Sequence, residues 1–477
     1  MTCVPDATFL ALLARRLGPK GFTADPRALA PWLTDWRGRV AGQASALLSP
    51  ATTDEVADIV RLAAEARVAI VPQGGNTSMV AGAVPPAEGG ALLLSLRRMN
   101  AIRSVSADDN VAVVEAGVIL ATLHEAAEQV GRRFPLSLAA KGSATIGGLI
   151  STNAGGTQVL RFGAMRALVL GVEAVLPSGD RFDGLSALRK DNRGYDLRQL
   201  LVGAEGTLGI VTAASLRLVP AVGRRAVAWI GLDRPADALR LLRQLEEATG
   251  EAIETFELLP RVALDLVLAH VPGTRAPLAG SHPWYVLLEA TAPAALPDPA
   301  DSLSGVLAGA IESGAINDTA IAASEAQADA LWRLRETVPE AERADGPAVK
   351  HDISVPVSAT PDFLATAISA VERQFAGTRV FAFGHLGDGN IHFNVRPPEG
   401  ADRPDWIARH GAAVSCLVHD LVGRQGGSIS AEHGIGQIRL AEFARTADPT
   451  RLALLRAIKG ALDPHGIMNP GKLIPAE

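Results

Sequence analysis

The run Gly384-His385-Leu386-Gly387-Asp388-Gly389-Asn390-Ile391-His392-Phe393-Asn394 sets two imidazoles where one metal ion could hold both. Residues 381–383 and 391–395 are apolar and favour strands. Asp388-Gly389 between them is a dipeptide that tolerates the positive φ angles of a type I′ turn. A two-residue loop there pairs Asn390 with Gly387, Ile391 with Leu386 and His392 with His385. Directly opposed residues have Cβ atoms about 4.5–5.5 Å apart, and two imidazoles can share a metal at roughly 2.0–2.1 Å per bond. On the hairpin alone, the alternative is a pair of cross-strand histidines with ordinary hydrogen bonds. Ser430-Ala431-Glu432-His433-Gly434-Ile435-Gly436 favours the metal, because Glu432 adds a hard carboxylate after a short strand expected over 428–430. His385, His392 and Glu432 are then three protein ligands with open positions. That is the pattern of a catalytic centre, since structural zinc sites are usually closed by four ligands. The competing readings are a helix N-terminal carboxylate for Glu432 and a surface position for His433.

Two cations flank a break in the preceding segment. Trp332-Arg333-Leu334-Arg335-Glu336-Thr337-Val338-Pro339-Glu340 is charge-dense, and a solvated helix face is its default reading. Pro339 kinks or ends that helix, and Lys350-His351-Asp352-Ile353-Ser354-Val355-Pro356 starts a strand. Arg335 and Lys350 on either side of the break could clamp a carboxylate. Asn394, two residues beyond His392, projects from the same strand face.

A second chemistry lies in the first half, in three glycine-rich segments. Pro72-Gln73-Gly74-Gly75-Asn76-Thr77-Ser78 follows a short apolar strand expected over 68–71, and no charge occurs from 68 to 87. Gly142-Ser143-Ala144-Thr145-Ile146-Gly147-Gly148 leads to Asn153-Ala154-Gly155-Gly156. Gly203-Ala204-Glu205-Gly206-Thr207-Leu208-Gly209-Ile210-Val211-Thr212 then runs into a strand. Clustered glycines let backbone N–H groups approach an anion closely, although a single such loop is as readily a plain turn. The three clusters lie far apart, which does not match a Rossmann fingerprint confined to one βαβ unit.

The elements that must position these groups differ between the halves. Thr52 to Glu55 is a capping box ahead of helical spacing at Val56, Ile59, Val60, Ala63 and Ala64. Strands follow at 91–96, 111–117 and 169–176, with a helix at 120–130. After Pro220, strands at 227–232, 252–258, 284–289 and 352–355 alternate with helices at 235–248, 324–344 and 361–375. This describes an α+β layer on an antiparallel sheet.

Composition narrows the classes. The chain has 477 residues, is 48% hydrophobic and 20% charged, and carries a net charge of −6, with aromatics at only 4%. That gives no polycationic or base-stacking surface, so nucleic acid is not expected as a partner. Cys3 and Cys416 cannot build a disulfide framework or a cysteine metal site, and they suit a reducing, cytoplasmic location. No signal peptide or transmembrane segment is expected.

The three glycine segments resemble the flavin-binding domain of the vanillyl-alcohol-oxidase superfamily, the p-cresol-methylhydroxylase type, over roughly 47–220. That resemblance implies FAD. Pro72, Gln73, Gly74, Gly75, Asn76, Thr77 and Ser78 would cradle its pyrophosphate. Gly142, Ser143, Thr145, Gly148, Asn153, Gly155 and Gly156 would line the pyrophosphate and ribityl chain, and Glu205, Gly206, Gly209, Ile210 and Val211 the adenine side and isoalloxazine. None of these segments holds a histidine or cysteine, so the FAD is expected to be non-covalent. The paired 384–392 and 430–436 motifs are similar to the signatures of the FAD-linked D-2-hydroxyacid dehydrogenases. The ending Asp463-Pro464-His465-Gly466-Ile467-Met468-Asn469-Pro470-Gly471-Lys472 matches the same group, with Asn469 and Lys472 as further cofactor residues.

The resemblance implies an FAD-binding domain over 1–220 (core 47–220), a substrate cap over 221–430 and a segment 431–477 returning to the first domain. It implies Zn²⁺ or a similar divalent ion on His385, His392 and Glu432, and His433 as general base. Arg335, Lys350, Asn394 and His433 would bind substrate, a small D-2-hydroxy acid. D-2-hydroxyglutarate is favoured, with D-lactate, D-malate or glycolate as alternatives. Pro339 departs from the hydroxyglutarate subgroup, whose better-known members carry threonine there. The electron acceptor stays open between a quinone, an electron-transfer flavoprotein and oxygen, as does the assembly, with a homodimer among the options. A flavin-binding electron-transfer subunit without its own turnover is the rival from another class, and the intact Glu432-His433 pair speaks against it.

Overall fold

The computed structural model describes residues 2–475 and divides into two compact units. The first holds the residues up to Gly156, Gly163–Ala221 and those from Glu432 on. The second holds Thr157–Phe162 and Val222–Ala431. The assignment of 157–162 differs from the division expected at 220, and local bonds explain it. Thr255 Oγ1 donates to the Thr157 carbonyl at 2.9 Å, and Arg161 pairs at 2.9 Å with the fully buried Glu254.

In the first unit, helix Thr53–Ala66 starts where Thr52 Oγ1 accepts the Glu55 N–H at 3.1 Å, and Glu55 reaches back to the Ala51 N–H at 2.6 Å. Val56, Ile59, Val60 and Ala63 are its buried face. The helix feeds strand Ile70–Gln73, which pairs in parallel with Ala91–Ser95, itself parallel to Ala44–Leu48. Strand Phe22–Thr23 closes the far edge of this four-stranded sheet. The outer edge at Ile70 is covered by the C-terminal tail. Ile70 N–H donates to the Ile467 carbonyl, and the Ile70 carbonyl accepts the Asn469 N–H, both at 2.8 Å. A five-stranded antiparallel sheet, in the order Ile102–Ser106, Val111–Glu115, Ile210–Arg217, Val169–Val175 and Arg181–Gly184, completes the unit's framework.

The second unit is built on a seven-stranded antiparallel sheet. Its order is Asp318–Ile321, Arg224–Leu232, Trp284–Ala292, Ile253–Pro260, Arg379–His385, Asn390–Arg396 and Val349–Ser354. Helices Pro235–Thr249, Pro299–Glu312, Thr360–Gln374 and Arg403–Arg424 cover one face over a mainly apolar core, in which His351 and His419 are also buried. Helices Arg261–His270, Glu325–Glu336 and Val338–Asp345 pack on the other against Trp229, Leu287, Phe381 and Phe383. The single helix expected over 324–344 is two helices that break at Thr337, with Pro339 in the first turn of the second, where its missing N–H costs nothing. The strand expected over 428–430 is one isolated bridge between Ser428 and Ser354. Among the described residues no helix is long and apolar enough to cross a membrane.

Candidate functional site

The hairpin that carries His385 and His392 is not closed by the two-residue turn expected at Asp388-Gly389. Phe383 pairs with His392, and the strands end at His385 and begin at Asn390. The connection is therefore the four residues 386–389, whose Asp388 and Gly389 N–H groups both point to the His385 carbonyl, at 3.3 and 3.1 Å. Gly389 alone in the turn takes a positive φ, 78°, and a Cβ there would lie 2.1 Å from the Val355 carbonyl. The neighbouring strand helps explain the wider loop: Leu386 is buried and its N–H donates to the Phe256 carbonyl at 3.0 Å, drawing the turn into the sheet. The histidines are diagonal neighbours, not directly opposed. They still share a face, because pairing displaced by two positions preserves the alternation that a one-residue slip would reverse. Their ring centroids are 5.9 Å apart.

This face carries a dense polar cluster. Glu257, fully buried on strand Ile253–Pro260, is paired directly opposite His385. Its Oε1 lies 3.2 Å from His385 Nε2 and its Oε2 lies 2.9 Å from Arg335 Nε. Burial pushes the Glu257 carboxyl up, but Arg335 and His385 outweigh it and hold the group well below the usual carboxylate range. The Arg335 guanidinium lies over the Phe383 ring, 5.0 Å from its centroid, and Phe383 packs against His392 at 4.9 Å between centroids. On the other side, Asp352 is paired opposite His392, with Oδ1 3.9 Å from its Nδ1. Asn390 Nδ2 donates to the same Asp352 oxygen at 2.9 Å. Lys350 and Asn394 are cross-strand partners, and both reach the buried Glu342: Lys350 Nζ at 2.5 Å from Oε2 and Asn394 Nδ2 at 2.8 Å from Oε1. Each of the two cations expected to clamp substrate thus already has a buried carboxylate of the chain as partner.

Glu257, Asp352, Glu342 and Asn390 escaped the sequence reading. For Glu257 the signal was a charged residue inside an apolar strand, Phe256-Glu257-Leu258, whereas Glu342 lies on a charge-dense helix and gave none. Nothing local shows that Glu257 faces a histidine four strands further along the chain.

Glu432 and His433 open the C-terminal part of the first unit. The preceding Ala431 is held in the second unit, where its N–H donates to the Asp352 carbonyl at 3.2 Å. Within the first unit, Arg439 Nη2 lies 3.5 Å from His433 Nδ1. The buried Glu205 carboxylate accepts the Ile435 and Gly436 N–H groups, each at 2.8 Å. Burial raises the Glu205 carboxyl against the pull of those two N–H groups.

The glycine segments come together in the first unit by backbone approach. A Cβ on Gly75 would sit 1.9 Å from the Ser143 carbonyl oxygen, one on Gly74 2.3 Å from Thr145 Oγ1, and one on Gly206 2.5 Å from Pro72 Cγ. Gly148 and Thr145 meet the same seam, whereas a Cβ on Gly142 would meet nothing within 4 Å. Several side chains expected to touch a cofactor serve as ties between loops. Gln73 Nε2 donates to the Trp32 and Ala83 carbonyls, at 3.0 and 2.9 Å. Asn76 donates to the Thr34 carbonyl at 2.8 Å, and Asn153 Oδ1 accepts the Arg166 N–H at 2.8 Å. Asn469 Nδ2 donates to the Gly82 and Glu205 carbonyls, at 3.0 and 2.6 Å. Ser78 Oγ accepts the Gly82 N–H at 3.2 Å. Lys472 is only 3% exposed, and its Nζ donates to the Pro470 carbonyl at 3.2 Å. Burial brings its ammonium down to about 8, with Glu205 and Glu88 pulling the other way.

Residues 44–183 match the FAD-binding domain family, and residues 223–473 match the C-terminal domain of the FAD-linked oxidases. The chain belongs to the FAD-linked oxidases. It is 37% identical over 471 residues to the mitochondrial D-2-hydroxyglutarate dehydrogenase of Arabidopsis thaliana, covering 98% of this chain and 82% of that protein. It is 40% identical over 453 residues to the D-2-hydroxyglutarate dehydrogenase of Xanthomonas citri pv. viticola, covering 94% and 93%. Among solved structures, p-cresol methylhydroxylase with substrate bound superposes with a TM-score of 0.74 at 17% identity, covering 98% of this chain and 96% of that one, a likeness of fold.

The first unit of this FAD-linked oxidase fits the cofactor its family name implies. Three glycine loops meet at close quarters, with the buried Glu205 turned to the Ile435 and Gly436 N–H groups. A buried ammonium beside them has only a carbonyl of its own loop as hydrogen-bond acceptor among the described residues, which suits a diphosphate. The second unit fits half of a metal site. Two imidazoles share one face, and His385 has a buried carboxylate 3.2 Å from Nε2, the outer-shell pattern of a metal-binding histidine, while Asp352 stands 3.9 Å from His392 Nδ1.

Proposed function

We propose that this FAD-linked oxidase oxidises D-2-hydroxyglutarate to 2-oxoglutarate. The observation that carries the reading is the shared face of His385, His392, Asn394, Arg335 and Lys350, which sets two cations beside a pair of candidate metal ligands. Both relatives described above are named for that substrate. His385 and His392 would hold a divalent ion with Glu432 as third ligand, the chain reaching Glu432 one residue after the anchored Ala431. Such an ion would supply a Lewis acid for the substrate hydroxyl. FAD, bound non-covalently on the glycine loops and beside Lys472, would supply the two-electron acceptor for the Cα hydride.

The chain's own residues would do the rest. His433 would take the hydroxyl proton, since an imidazole titrates near the working pH. Arg335 and Lys350 would hold carboxylate, and because Glu257 and Glu342 fix them in place, little side-chain freedom would be lost on binding. Asn394, whose amide nitrogen is given to Glu342, would offer its oxygen to a donor on the substrate. The acceptor that reoxidises the flavin is a quinone or an electron-transfer flavoprotein in this reading. A cytoplasmic location belongs to the same proposal, supported by the two free cysteines.

A shorter acid, D-lactate or D-malate, is the second reading. It is favoured by Pro339, which has no hydroxyl to offer, and by the prior pairing of both cations with buried carboxylates. Anaerobic mixing separates the two. D-2-hydroxyglutarate is expected to bleach the flavin at lower concentration than D-lactate. The reverse order moves the assignment to the shorter acid, and no bleaching by any D-2-hydroxy acid in metal-replete protein leaves an electron-transfer subunit. His433→Ala is expected to keep FAD and metal and to lose about 10²–10⁴ in the rate of reduction. Metal loss in that variant would show that His433 is a ligand.

A further inference from the structure

Glu257 has no part in the roles assigned so far beyond steadying Arg335, yet it is placed to control one of the candidate metal ligands. Its carboxylate is fully buried and lies directly across the sheet from His385. One oxygen is taken by Arg335 Nε at 2.9 Å, which turns the other toward His385 Nε2 at 3.2 Å. A carboxylate oxygen that close favours the proton on Nε2, which sets the His385 tautomer and leaves Nδ1 as the ligand atom. Asp388, in the four-residue turn, stands farther off on the Nδ1 side, at 3.7 Å.

We propose that Glu257 is a positioning residue for metal binding: held by Arg335, it orients His385 and increases the basicity of its ligand nitrogen. The inference rests on the metal reading given under Proposed function. A purely structural role is the competing account, and the energetics argue against it. Burying a carboxylate and a guanidinium is expensive, and apolar side chains of similar volume often serve stability as well or better. A carboxylate behind a metal-binding imidazole does what no apolar side chain can: it fixes the tautomer and strengthens the donor.

The test uses full-length, FAD-replete protein stripped with a chelator and titrated with Zn²⁺ against a competing indicator dye. Glu257→Gln keeps the shape and removes the charge. It is expected to raise the Zn²⁺ dissociation constant by about 10–100-fold while FAD content stays as in wild type. In a double-mutant cycle with His385→Ala, the same substitution is expected to add nothing further, because Glu257 acts through that ring. A structural role would weaken Zn²⁺ equally in both backgrounds. Should Glu257→Gln fail to fold, Glu257→Asp takes its place in the cycle, keeping the charge but withdrawing it from the ring. Unchanged affinity in the Glu257 variant, or equal loss on the His385→Ala background, overturns the proposal alone. A wild-type chain that binds no Zn²⁺ overturns it together with the reading on which it rests.

Discussion

The glycine loops of the first unit and the polar sheet face of the second prepare for charge in opposite ways. In the loops, glycine backbone meets its neighbours so closely that a single methyl group would collide: Gly75 with the Ser143 carbonyl, Gly74 with the Thr145 hydroxyl, Gly206 with the Pro72 ring. Negative charge is to be met there by N–H dipoles and one buried lysine. On the sheet face, full charges are already in place and already paired, Arg335 with Glu257 and Lys350 with Glu342, around the two histidines. The first region depends on side chains being absent, the second on their balance. Substitutions should therefore fail differently: by steric bulk in the loops, by charge on the face.

The largest effect is expected on the face. Arg335→Met keeps the volume but leaves Glu257 buried beside His385 alone. Breaking one side of a buried pair costs about 3–5 kcal/mol, and at roughly 2–4 °C per kcal/mol for a domain of this size the melting temperature should fall by about 10 °C. Differential scanning calorimetry of the FAD-bound protein measures it. A drop of only a degree or two would mean that Glu257 simply takes up a proton, and that the face tolerates charge imbalance as the loops do.

The same contrast governs what could be read from the sequence. The glycine loops announce themselves locally: the uncharged run from 68 to 87 and the Gly74-Gly75 pair need no knowledge of the fold. The capping box at Thr52 was readable for the same reason. His385 and His392 were readable as a pair because a hairpin is local, yet their register was not. The turn is widened by Leu386, which bonds to Phe256 on a strand far away in sequence. Glu257, Asp352 and Glu342 depend wholly on which strand lies beside which. Glu257 was visible as a single acid in an apolar strand, but none of their partners was. Thr157–Phe162 went unread because its ties to the second unit, Arg161 to the buried Glu254 and the Thr157 carbonyl to Thr255, reach residues far away in sequence.

The next effect belongs to the loops. Gly75→Ala puts a carbon 1.9 Å from a carbonyl oxygen that cannot move without displacing the 142–148 segment. Overpacking of this kind costs about 1–3 kcal/mol, so FAD should bind about tenfold to hundredfold more weakly, read from the flavin-to-protein absorbance ratio after gel filtration. Unfolding of the second unit should be left as it was. Full FAD retention would show that the seam between the two loops can open, and would weaken the steric half of the contrast.

The smallest effect tests the buried cation beside the loop region. Burial holds the Lys472 ammonium near 8, below the value of about 10.4 for a lysine in an unfolded chain. Between those two values the folded apoprotein binds fewer protons than the unfolded chain, so its stability should rise as pH goes from about 8 toward 10. FAD should respond with the opposite sign. A diphosphate beside Lys472 favours the charged ammonium, so affinity should be constant below about pH 8 and fall by at most tenfold per pH unit above it. Thermal unfolding of apoprotein and fluorescence titration with FAD across that window measure the two slopes. Lys472→Met should flatten both. A stability slope without an affinity slope would leave Lys472 as a buried tie for the C-terminal tail, and the loops would then bind their anion through backbone dipoles alone.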